Sequence, residues 1–212
     1  MNNNFSDVEQ RVVRYWYSDG IGELIGGFMF ILLGFYFAVQ EFMGQNSLAS
    51  GLLQASLALL MIGGAFISRR LVTNLKTRLT YPRTGYVEYQ VNEGQMKWRR
   101  VWVIAIAFAV STLSMVFVKT IQTIDSMVAV TGVVVGLVLV FLRAKSAGLT
   151  RFYFLGGVSL TLGLALSVSG LPNGYSLGLF YGSMGVCFIL SGGITLGRYL
   201  RQNPLPENGH DE

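Results

Sequence analysis

Acid–base and nucleophilic chemistry near neutral pH most often recruits histidine. This chain has one, His210, set in a polar stretch with Pro204, Pro206 and Gly209. The string Ser167-Val168-Ser169-Gly170 could serve an intramembrane serine hydrolase only if a buried base took the serine proton. The surrounding apolar run offers no histidine or lysine for that step. The one cysteine, Cys187, lies inside another apolar run, so it forms no intrachain disulfide and reads as a small packing residue. Cysteines, histidines and carboxylates nowhere adopt metal-ligand spacing. No glycine-rich loop of the phosphate-cradling kind occurs either. The expectation is no catalytic residues, no metal, no cofactor and no enzyme.

Two other features could recognise something. Gln54 sits in an apolar run, as do Ser111, Thr112, Ser114, Tyr181 and Ser183. In lipid such groups commonly hydrogen-bond between helices, for about 0.6 kcal/mol each. Alternatively, Gln54 and the hydroxyls line a polar bundle site for a neutral or lipid-like solute. The second feature is Tyr81-Pro82-Arg83-Thr84-Gly85-Tyr86-Val87. Arg83 between Tyr81 and Tyr86 has the fork to hold a lipid phosphate or an acidic partner. Tyr81, Pro82, Arg83, Gly85 and Tyr86 are therefore the candidate contact residues. This string resembles one in the cytoplasmic loop of uncharacterised bacterial multi-span membrane proteins. The resemblance covers about ten residues and implies a similar loop.

The elements that must position these residues follow from hydropathy. Hydrophobic residues make up 52% of the 212 and charged ones only 13%, about half the usual charge of a soluble domain. The apolar residues gather into blocks of about the 20 residues a bilayer-spanning helix needs. Six are readable: Ile21 to Gln40, Leu48 to Ile67, Val101 to Val118, Ser126 to Leu142, Phe152 to Val168 and Tyr175 to Leu196. Short turns join them in pairs, including the turn signal Leu171-Pro172-Asn173-Gly174. The fold class expected is an all-α membrane protein, six transmembrane helices arranged as three antiparallel hairpins (21–67, 101–142 and 143–201). Residues 1–20 hold no signal-peptide core and read as an interfacial helix, and residues 202–212 as a loose tail.

Orientation rests on charge. With this pairing, every Lys and Arg except Lys119 falls on one side. Basic residues favour the cytoplasm, so both termini are expected there. The long loop 68–100 lies on that side. Helix two should continue through Arg69, Arg70 and Lys76 and stop before Pro82, which disfavours a helical Tyr81. Tyr86 to Val91 alternates as a strand, Asn92-Glu93-Gly94 is a turn, and Met96 to Val101 returns. A small cytoplasmic β-hairpin is expected there.

The spans themselves hold no ionisable residue beyond their end turns, which argues against a proton pump or ion-coupled carrier. Glu23, Glu41 and Asp125 read as solvated residues at span ends. Gly132-x3-Gly136, Gly178-x3-Gly182 and Gly193-x3-Gly197 are expected to let helices approach closely within the chain, with a homo-oligomer as the alternative. A shift of 129 residues relates the first and last hairpins, pairing Gly63-Gly64 with Gly192-Gly193 and Arg69 with Arg198. The net charge of +5 suits an anionic lipid surface, with no need for nucleic acid. The expected function is a non-enzymatic scaffold or partner-binding subunit acting through its cytoplasmic face. The alternative is a small channel or carrier for a neutral or lipid-like solute.

Overall fold

A computed structural model of the chain describes residues 18–43, 48–84, 126–140 and 149–204. The described residues are helical apart from turns and short connections, and none is in a strand. Helices α1 (Ile21–Met43) and α2 (Leu48–Leu75) come first. A π-helical turn, Lys76–Thr80, and the short helix α3 (Tyr81–Thr84) follow. Then come α4 (Ser126–Leu137), α5 (Thr150–Ser167) and α6 (Asn173–Gln202). The expected β-hairpin, the third apolar block and the amino-terminal interfacial helix lie outside the described residues.

Among the described residues, two helices are long and apolar enough to cross a membrane, α1 with 23 residues and α6 with 30. At 1.5 Å per residue, α1 reaches about 35 Å, against a hydrocarbon thickness of about 30 Å. A shorter apolar helix covers Met127–Val140.

Local chemistry fixes the helix ends. The Asp19 carboxylate accepts the Ile21 N–H at 3.2 Å, and the Gly20 carbonyl accepts those of Glu23 and Leu24. Gly20 is left-handed, with φ of 73°. An added Cβ there would also stand 2.5 Å from the Gly192 carbonyl oxygen, so only glycine fits. Gly170, with φ of 69°, turns the chain out of α5 as the Leu171-Pro172 signal requires. The Glu41 carboxylate then accepts the Gly174 N–H at 3.1 Å, placing negative charge at the amino-terminal end of α6.

The helices α1 and α6 run antiparallel with their backbones in contact. Gly20, Gly27 and Gly34 are spaced by seven residues, two helical turns, and so share one face. Opposite them stand Gly192, Gly185 and Gly178 in the reverse order. A Cβ on Gly27 would lie 2.7 Å from the Gly185 carbonyl oxygen, and one on Gly34 would lie 2.7 Å from that of Gly178. Phe30 packs beside this seam against Tyr181 and Phe188, at ring distances of 5.5 and 5.3 Å.

A second antiparallel pair, α4 with α5, repeats the device. Gly132 meets Gly163, and Gly136 meets Gly156 and Leu160. The buried Ser159 hydroxyl donates to the Gly132 carbonyl at 2.9 Å. The two pairs share a core of Val128, Leu139, Phe152, Leu155, Phe180, Met184 and Phe188. α2 lies against α1 more loosely, tied by the Tyr36 hydroxyl donating to the Leu53 carbonyl at 3.1 Å.

Small residues thus fill the helix seams while large apolar ones face outward. Phe42 is 83% exposed, and Phe35, Leu52, Leu59, Phe66 and Phe154 are also exposed. The glycine pairs aligned by the 129-residue shift have different surroundings. Gly192 touches the α1 backbone, whereas among the described residues Gly64 meets only the Met29 sulfur and Gly63 nothing within 4 Å.

Candidate functional site at the basic end of the bundle

The start of α1 and the turn before it place two carboxylates four residues apart, Glu23 and Asp19, both buried. Asp19 faces the segment after α2. Lys76 Nζ lies 3.0 Å from its Oδ2, and the Thr80 hydroxyl donates to the same oxygen at 3.3 Å. The lysine and aspartate side chains are 3% and 1% exposed. Burial pushes the Lys76 ammonium below its ordinary value, and the attraction of Asp19 only partly opposes that.

Glu23 faces the other way, toward α5 and α6. Arg151 Nη2 lies 2.7 Å from Glu23 Oε1, and the Ser191 hydroxyl donates to Oε2 at 2.8 Å. Arg151 also donates through Nη1 to the Thr195 hydroxyl at 2.8 Å, and Thr195 donates back to the Ser191 carbonyl. The guanidinium stands 5.4 Å from the Phe152 ring centre, a cation–π contact. One helical turn therefore joins four segments: α1, the π-turn, α5 and α6.

Glu23 corrects the reading of a solvated end residue, for it is 1% exposed. Taking such a charge out of water costs several kcal/mol, and only an arginine with further hydrogen bonds offsets that. Glu41 is likewise engaged with the α6 amino terminus rather than with solvent alone. Asp125 lies outside the described residues. Sequence reading missed the cluster. The available signal was Asp19 and Glu23 four residues apart at the edge of an apolar run.

The expected contact residues lie close by. Tyr81 and Arg83 are half-buried and Pro82 is exposed; Gly85 and Tyr86 lie outside the described residues. Arg83 Nη1 donates to the Asn203 carbonyl at 2.8 Å and reaches the Leu200 carbonyl at 3.4 Å. It thereby covers unpaired carbonyls at the carboxyl end of α6, where a cation also suits the helix dipole. Its Nε is buried and has no hydrogen-bond partner among the described residues.

The helix does not stop before Pro82. Tyr81 is helical, with φ of −64° and ψ of −36°, and its N–H donates to the Lys76 carbonyl across a π-turn. The widened turn makes room where the proline ring would meet the preceding coil. Pro82 then occupies the first turn of α3, where its missing N–H costs nothing. Gln54 lies on α2, and its side chain is outside the described residues.

What this cluster can do chemically is limited by its own pairing. Its carboxylates meet cations, hydroxyls and a backbone N–H, a composition that joins helices rather than one that leaves an acid or base facing a cleft. At the other end of the bundle, an open groove of about 520 Å³ runs between Ile31, Phe35, Tyr175 and Leu179 over Gly34 and Gly178. It lacks the convergent polar groups that orient a small molecule. No three His, Cys, Asp or Glu side chains converge as metal ligands among the described residues. The chain matches no family model, no curated protein and no solved structure.

Proposed function

We propose that the chain is an integral membrane protein of six helical spans, both termini cytoplasmic, serving as a non-enzymatic scaffold or partner-binding subunit. Its working surface is the basic face around Tyr81, Pro82, Arg83, Gly85 and Tyr86. One observation carries the reading: backbone-to-backbone glycine contacts fill the seams of both helix pairs, while phenylalanines and leucines face outward. Lipid tails are as apolar as leucine, so helices there associate by close packing, which is what glycine seams supply. Glycine seams also leave little room for a lumen. The six-span count rests on the six apolar blocks, and the orientation rests on the basic residues at one end. Anionic headgroups account for the charge of that face. The resemblance of the Tyr-Pro-Arg loop to loops of bacterial multi-span proteins supports the same assignment.

The test is co-purification from mild detergent of the intact chain and a variant with residues 81–86 replaced. A partner set that changes with the loop is expected, and identical sets would count against the scaffold reading. Flux of neutral or lipid-like solutes into proteoliposomes, lost in Gln54→Leu, would instead establish a channel or carrier.

A further inference from the structure

The segment between α2 and α3 is clamped at both ends. Its first and last residues, Lys76 and Thr80, both reach the Asp19 Oδ2. Just beyond it, Arg83 is seated on the Asn203 and Leu200 carbonyls of α6. Between these anchors the backbone takes the wide π register, with Tyr81 N–H on the Lys76 carbonyl. Such a turn holds one residue more than an α-turn and has poorer hydrogen bonds, so its surroundings must hold it open. If it relaxed to the α register, everything after it would rotate by about 100° and move along the axis by about 1.5 Å. Arg83 would then leave the end of α6.

We propose that Lys76–Thr80 is a register hinge. The buried Asp19 contact is the catch that holds it wide, and releasing the catch swings Arg83 away from the end of α6. The position of Arg83 is thereby tied to the start of α1. The same stretch grips α5 and α6 through Glu23 and Arg151, so movement between the helix pairs bears directly on the catch. The device needs no bound partner, and its test is independent of the scaffold reading.

The experiment measures spin-label distances in the full chain in detergent, in a Cys187→Ala background. One label pair spans the hinge, Thr84→Cys with Arg201→Cys. The control pair stops short of it, Asn74→Cys with Arg201→Cys. The parent is expected to give a single distance for each. Asp19→Asn should add a second 84–201 population displaced on the order of 5 Å, from rotation at the helix radius, and leave 74–201 unchanged. Deleting Thr77 removes the extra residue, so the α register then keeps Arg83 in phase. Added to Asp19→Asn, that deletion should restore the single parental distance. An unchanged 84–201 distance in Asp19→Asn would overturn the proposal, leaving Pro82 alone to set the register. So would a shift of 74–201 in step with it, or a deletion that restores nothing. If Asp19→Asn fails to fold, Lys76→Gln and Thr80→Val report on the same hinge, and parental distances in both would overturn it.

Discussion

The glycine seam can be tested at Gly185. An alanine Cβ there would stand 2.7 Å from the Gly27 carbonyl oxygen, 2.7 Å from Ile31 Cγ1 and 2.9 Å from the Ile31 nitrogen. Two of these neighbours are backbone atoms, which cannot turn aside as a side chain can. Restoring an ordinary 3.4 Å contact therefore parts α1 from α6 by about 0.7 Å. A gap of that size forfeits roughly a quarter to a half of the dispersion attraction between facing atoms. In lipid no hydrophobic effect compensates, so Gly185→Ala should cost about 1–3 kcal/mol, the usual range for overpacking. Gly157→Ala is the control, because no described residue lies within 4 Å of its Cβ position. There the better helix propensity of alanine should stabilise by up to about 1 kcal/mol. The assay is reversible unfolding in mixed micelles, followed by helical circular dichroism. Equal stabilities for Gly185→Ala and the parent would refute the reasoning, as would equal losses at both sites.

Further predictions concern the buried charges and the helix ends. Lys76→Ala takes the ion-pair partner from the buried Asp19 and should cost about 3–5 kcal/mol, whereas Asp19→Asn with Lys76→Met should recover most of that in the same unfolding assay. The lowered Lys76 value means that the unfolded chain holds this proton more tightly. The lysine's contribution to stability therefore rises with pH, from its folded value up to about 10.4. The stability of the parent relative to Lys76→Met should accordingly increase as the pH rises toward about 10.4, and a decrease would reverse the assignment. Arg83→Gln should cost about 1.5 kcal/mol, the low end for hydrogen bonds to a charged group, with faster amide exchange at residues 199–203. Glu41→Gln weakens the charge at the start of α6 and should cost about 0.5 kcal/mol, with exchange quickened at Gly174.

Much of the helical framework is legible in the sequence because its signals are local. Apolar blocks expected from Ile21, Leu48, Phe152 and Tyr175 meet helices beginning at Ile21, Leu48, Thr150 and Asn173. The Gly132 and Gly136 pair, read as a packing face, does pack against α5. The main seam is legible only in part: Gly178-x3-Gly182 reads as a packing face and does meet Gly34, but the seven-residue spacing of Gly20, Gly27 and Gly34 means little until α6 supplies Gly192, Gly185 and Gly178. By contrast, Gly197 belongs to a comparable four-residue pair and has no described residue within 4 Å of its Cβ position. Spacing alone does not say which face is used. Glu23 was misread for a similar reason: its partners Arg151 and Ser191 come from the far end of the chain, and only folding brings them within 3 Å. Pro82 misled in the opposite direction. Its local preference is sound, but a single widened turn absorbs the clash and carries the helix past it.

The central claim, a multi-span membrane bundle with its basic end in the cytoplasm, is tested most directly by mapping cysteine accessibility in a Cys187→Ala background. Single cysteines at Gln45, Thr120 and Asn173 should react with a membrane-impermeant maleimide in intact cells. Cysteines at Thr77, Lys145 and Asn203 should react only after permeabilisation. Labelling of the second group in intact cells, or recovery of the chain without membranes, would contradict the account.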